Sequence, residues 1–188
     1  MQKIIRTILI TLTALFFVSN ANALDYETVS AQLNNHHSLE CDYKQVKTIQ
    51  GNVLESAGHL LLENKNHIVY TQLDPFEMSL EITPDRITQN IEGEIEEINR
   101  ESNAKVFEVS NLLLKVFCAD GNLKEYFDYT IDGTKDKWTA TLTPHHELLS
   151  KIFSKIVMSG SDRLDEVEID DKQGDKTSIS FFNYTFKD

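Results

Sequence analysis

The chain has 188 residues, 40% hydrophobic and 26% charged, with two cysteines and a formal net charge of −12 at pH 7. That apolar share excludes a disordered polypeptide, and the length suits one domain with its own core. The acidic balance argues against a nucleic-acid binder, whose target demands Lys and Arg, and against stable docking on anionic lipid.

Residues 1–23 read as a secretory signal peptide. Lys3 and Arg6 form the positive start, residues 8–18 an apolar stretch, and Ala21-Asn22-Ala23 a small-residue cleavage site. The stretch is short for a membrane span. No Cys follows the cleavage site, the first being Cys41, so the expectation is an exported, soluble, unacylated protein. Residues 24–188 then form a single domain.

Residues 24–39 read as a helix capped by Asp25, with Tyr26, Val29, Leu33 and His36 or His37 near helical spacing. Residues 40–50 are a strand that turns at Gly51-Asn52. Two more follow at 57–63 and 67–73, joined by Asn64-Lys65-Asn66 and ended by Asp74-Pro75. Across 76–83, Phe76, Met78, Leu80 and Ile82 alternate with Glu77, Ser79, Glu81 and Thr83, the period of a half-buried strand. Residues 86–91 and 94–98 read as a hairpin about Glu92-Gly93, although Ile91, Ile95 and Ile98 also fit a helix.

A second helix spans 102–117, capped by Ser102 or Asn103 and stopped at Asp120-Gly121. Val106, Val109, Leu113 and Val116 lie on one face of it, widened by Leu112 and Phe117. A hairpin about Gly133 pairs 125–132 with 137–143, aligning Phe127, Tyr129 and Ile131 against Trp138, Ala140 and Leu142. Pro144 opens a short amphipathic turn (Leu148, Leu149, Ile152) before a strand near 156–158, and helical spacing also accommodates 145–157. Strands at 163–170 and 176–186 close the chain. About ten strands with hairpin-length connections predict an α+β fold built on one curled antiparallel sheet.

Catalytic signatures are missing: there is no G-x-S-x-G elbow, Gly-rich phosphate loop or H-E-x-x-H zinc helix, so no enzyme and no cofactor are expected. His36-His37 and His145-His146-Glu147 come nearest to metal ligands. Adjacent histidines point apart, so no metal site is expected either. Cys41 and Cys118 permit one disulfide in an oxidising compartment, worth roughly 4 to 5 kcal/mol in the chain-entropy model. The alternative is two unpaired thiols. The apolar alternation through Leu60, Leu62, Ile68, Tyr70, Phe76, Met78, Leu80, Ile82, Trp138, Ala140 and Leu142 reads by itself as core or as the lining of a cavity, core being the ordinary outcome.

A resemblance bears on that choice. Asp42-Tyr-Lys-Gln-Val-Lys-Thr-Ile, Ser56-Ala-Gly-His-Leu-Leu-Leu, Ile68-Val-Tyr and Asp74-Pro-Phe follow one another as similar strands do in the LolA family of periplasmic lipoprotein carriers. Trp138-Thr-Ala-Thr-Leu-Thr-Pro144 and the final hairpin from Gly174 to Asn183 resemble later segments of that family, so the resemblance covers nearly all of 24–188. It implies an open, incomplete β-barrel with helices over its concave face. It also implies a cavity for acyl chains lined by Leu60, Leu62, Ile68, Tyr70, Phe76, Met78, Leu80, Ile82, Trp138 and Leu142, beneath a helical lid carrying Leu113 and Val116.

The family's carriers hold the lid with an Arg in the turn after the Gly-led strand. Here that turn is Glu63-Asn64-Lys65-Asn66, leaving Lys65 as the lid-latch candidate, a point charge without the Arg fork. The function implied is a monomeric periplasmic carrier of a Gram-negative cell. It would bind acyl chains of lipoproteins or envelope lipids and ferry them from an inner-membrane donor complex to an outer-membrane acceptor. The alternative on the same fold is a periplasmic lipid-sensing or protein-interaction domain.

Overall fold

The computed structural model describes residues 24–117 and 123–187, with backbone alone at 112, 113 and 115–117. The signal-peptide reading of 1–23, the helix stop at Asp120-Gly121 and Cys118 with its pairing to Cys41 lie outside the described residues.

The first helix, α1 (Tyr26–Leu33), is N-capped by Asp25, whose carboxylate accepts from the Thr28 amide at 2.9 Å. It is shorter than the spacing predicts. His36 and His37 leave the helix, and strand β1 (Ser38–Ile49) already begins at Ser38. Then come β2 (Asn52–Glu63), β3 (His67–Asp74), β4 (Met78–Ile82), and the hairpin β5 (Ile87–Ile91) and β6 (Glu94–Glu97). The pairing of Ile91 with Glu94 resolves the ambiguity at 86–98 in favour of strands.

Helix α2 (Ala104–Phe117) and a 3-10 turn (Leu123–Glu125) lead to β7 (Phe127–Thr134), β8 (Lys137–Pro144), the single-turn helix α3 (Leu149–Ile152), β9 (Phe153–Gly160), β10 (Leu164–Asp171) and β11 (Lys176–Lys187). The long-helix option for 145–157 fails because Phe153 already enters a strand that pairs with both β8 and β10.

These strands make one antiparallel sheet in the order β6-β5-β4-β3-β2-β1-β11-β10-β9-β8-β7. The first and last strands pair at its centre, so two meanders run outward to the edges β6 and β7. The sheet is therefore open. Helix α2 connects the two edge strands and so carries the chain across the open side.

Register puts the apolar residues in rows. Phe186, Leu39, Leu62, Ile68, Ile82 and Ile87 stand side by side across six strands. In the other meander Ile169, Ile156, Leu142 and Tyr129 align, as do Val167, Met158, Ala140 and Ile131. The opposite face carries polar pairs. Asp42 there accepts from Asn183 Nδ2 at 2.7 Å and meets His59, and these contacts hold its carboxyl below the usual range.

Gly58, at the head of the apolar run of β2, is required by close approach. A Cβ there would sit 1.8 Å from the Thr71 carbonyl oxygen, where a bulge brings β3 inward.

Candidate functional site

An apolar cavity of about 340 Å³ lies on the inner face, between the sheet centre and α2. Leu60 and Leu62 of β2, Ile68 and Tyr70 of β3, and Leu80 and Ile82 of β4 form one wall. The other wall comes from β10 and β11, through Ile169, Ile179, Phe181, Tyr184 and Phe186. Leu39 of β1 lies between them, Leu33 at the end of α1 closes one side, and Ser110 and Leu114 of α2 form the cover.

The aromatic groups are fixed by one another. Tyr70 stacks on the fully buried Tyr43 at 4.4 Å, and its hydroxyl donates to Gln45 Oε1 at 3.5 Å. Tyr184 stacks with Phe186 at 5.5 Å and donates its hydroxyl to the Leu164 carbonyl, while His36 stacks on Phe186 at 4.2 Å. Burial raises the pKa of Tyr70 and Tyr184 above the usual phenol range. It also pushes the thiol of Cys41, buried and without a disulfide partner among the described residues, up to about 12. None of these groups ionises at neutral pH. The arrangement can hold hydrocarbon.

The exposed members of the lining mark the rim: His37, Lys65, Asp162 and Arg163. Arg163 lies 5.5 Å over the Tyr184 ring and donates from Nε to Asp165 at 3.3 Å. Lys65 sits in the β2–β3 turn with a φ of 60°.

Of the residues expected to line a cavity, Leu60, Leu62, Ile68, Tyr70, Leu80 and Ile82 come together here. Trp138 and Leu142 do not: each is 1% exposed and packs in the solid core beneath α1, with Trp138 Nε1 donating to the Ser161 carbonyl at 2.7 Å. Phe76 is also displaced. It falls in the turn before β4 rather than on the strand, is 46% exposed, and its carbonyl is held by Gln72 Nε2 at 3.1 Å. Met78 pairs with Gln72 outside the cavity lining.

Leu113 and Val116 belong to α2, but their side chains lie outside the described residues. Among the described side chains of α2, Phe107, Ser110 and Leu114 turn inward, whereas Val106, expected on the inner face, is 43% exposed. Apolar residues cover more than half of this helix, so periodicity alone does not select the stripe. Lys65 lines the cavity but makes no hydrogen bond or ion pair to α2 among the described residues.

The sequence reading missed the β11 wall for a definite reason. Ile179 and Phe181 point inward, then Asn183 takes a φ of 54°, and Tyr184 and Phe186 point inward on the opposite parity. An extra residue in β11 opposite Cys41 breaks the alternation. The only signal in the sequence is the Asn itself, one of the few residue types that tolerate positive φ.

No protein-family model and no curated protein matches the chain. Solved structures do. A LolA superfamily protein from Nitrosomonas europaea is 8% identical with a TM-score of 0.47, over 87% of this chain and 92% of that one. A putative outer membrane lipoprotein-sorting protein domain from Vibrio parahaemolyticus is 10% identical with a TM-score of 0.47, over 86% and 91%. The Mycobacterium tuberculosis lipoprotein LppX is 12% identical with a TM-score of 0.44, over 86% and 96%. The chain is similar to the LolA superfamily and to outer-membrane lipoprotein-sorting structures.

Proposed function

We propose that residues 24–188, freed of a signal peptide at 1–23, carry an acyl-bearing cargo across the periplasm. The cargo is the lipid-modified end of a lipoprotein or an envelope lipid. An inner-membrane complex would supply it and an outer-membrane acceptor would take it. One observation carries this reading: an apolar cavity of about 340 Å³ stands open on the inner face of the sheet, where an ordinary core would be filled.

The energetics suit a carrier that does no chemistry. Each buried methylene contributes about 0.8 kcal/mol, so about ten supply roughly 8 kcal/mol before ordering costs, which sets about micromolar as the upper bound on holding by ten methylenes. Such affinity is tight enough to shield a chain from water and weak enough to surrender it to an acceptor. The test is organic extraction of protein purified from the periplasm, followed by lipid mass spectrometry. One acylated species in stoichiometric amount is expected. Protein that yields no lipid and binds no added fatty acid would rule the carrier out and leave a protein-interaction domain.

A further inference from the structure

The cavity is small, and its rim is charged against the trend of the chain. An apolar cavity of about 150 Å³ accommodates one benzene ring. At about 340 Å³ this one has room for on the order of a dozen carbons, a single aliphatic chain rather than a bundle.

Acidic residues outnumber basic ones 30 to 18 in the sequence, yet the lining holds two permanent cations, Lys65 and Arg163, and one acid, Asp162. The two cations project from the β2–β3 and β9–β10 turns, on either side of the central β1–β11 pair. Lys65 has no ion-pair partner among the described residues. Arg163 donates from Nε to Asp165 and forms only a long ion pair from Nη1 to Asp162 at 4.0 Å, which leaves Nη2 without a charged partner among the described residues.

We infer that the cavity takes a single-chain amphiphile with an anionic head, a carboxylate or a phosphate monoester. Its tail lies between α2 and the sheet, and its head meets Lys65 and Arg163 at the rim. This rests on the carrier reading above and narrows it. Tail burial supplies most of the affinity, and the rim charges select the head and set which end enters first. Asp162 opposes the same head, so its removal and that of Lys65 act in opposite directions.

Displacement of the neutral dye N-phenyl-1-naphthylamine tests this with three competitors of equal chain length: a saturated fatty acid, a lysophosphatidic acid and a monoacylglycerol. The two anionic competitors should displace the dye about tenfold better than the neutral one at low salt, and the advantage should shrink as salt rises. Lys65→Gln should lower that ratio about threefold and Asp162→Asn should raise it. Opposite signs cannot come from damage to the fold. A preference for only one anionic head supports the inference and identifies the head.

Equal displacement by all three, indifferent to salt and to both substitutions, overturns the charged-head inference and leaves the carrier reading standing. A diacyl phospholipid that competes as well as the single-chain compounds overturns the single-chain part. Dye that no amphiphile displaces overturns the carrier reading as well.

Discussion

Between β7 and β9 the inner face is filled. Trp138, Phe127, Leu142, Ile156 and Met158 pack under α1, and the space that remains beside Tyr26 and Val29 is about 20 Å³. From β10 and β11 across β1 to β4 the inner face stands under α2 and leaves about 340 Å³. The difference lies in what covers each face. The filled half spends a Trp and a Phe on its inner face, and α1 answers with Tyr26 and a hydrogen bond from Gln32 Nε2 to the Lys135 carbonyl at 3.0 Å. The open half carries aromatics of its own, Tyr70, Phe181, Tyr184 and Phe186, among Leu and Ile, but α2 sets the small Ser110 over them. Alternation therefore marks an inner face without saying whether it will be filled.

The largest effect should come from the filled half. Trp138→Ala should cost about 3–5 kcal/mol in denaturant unfolding, because it empties a site with no room to collapse. Gly160 is held against that ring, where a Cβ would lie 2.9 Å from the Trp138 side chain. Leu80→Ala in the open half should cost about 1–2 kcal/mol, below the usual range, since its neighbours already border empty space. Equal costs at the two positions would break the comparison.

Next in size is the cover. Leu114 is buried on α2, so Leu114→Asp places an unpaired carboxylate against hydrocarbon. Fatty-acid probe binding should disappear while the β-sheet circular dichroism signal survives. Retained binding would mean that α2 does not close the cavity.

A smaller effect on the fold sharpens the contrast. Leu60→Trp grows a side chain into the void, so stability should shift by less than about 1 kcal/mol while probe affinity falls about tenfold. A loss of stability matching that of an overpacked core would mean the space is not free in solution.

The smallest effect concerns Cys41. Its thiol is held up to about 12 by burial, from an ordinary value of 9.0. A folded value raised above the unfolded one means this contribution to stability is fully present below about pH 9, the unfolded value. It then declines as pH rises toward the folded one. Iodoacetamide at pH 8 should leave Cys41 unmodified in the native protein and label it in urea, as peptide mass spectrometry would read. Rapid labelling of native protein would place the thiol at the surface.

Much of this was legible in the chain. Asp25 before an apolar helical stripe marked the first helix, and Asn64-Lys65-Asn66 and Glu92-Gly93 marked turns that the structure contains, whereas β7 runs on through Gly133 and the hairpin expected there turns at 135–136 instead. Six of the cavity-lining side chains, from Leu60 to Ile82, followed from alternation on consecutive strands, because side chains on a pleated strand must alternate. Phe76 failed for the same reason in reverse. The turn after Asp74-Pro75 consumed it, and a residue outside the ladder has no obligatory face.

What the sequence determined by itself was local: strand periods, turn positions and the cap. Tertiary structure alone decided that β1 pairs with β11, because that contact joins residues more than a hundred positions apart and no local pattern encodes it. It also decided that Asn183 would bulge and turn Tyr184 and Phe186 inward, and that Trp138 would be core while Leu60 faces a void. Alternation is a property of the backbone. Filling depends on the summed volume of side chains from separate strands and a helix, which becomes defined only when they meet.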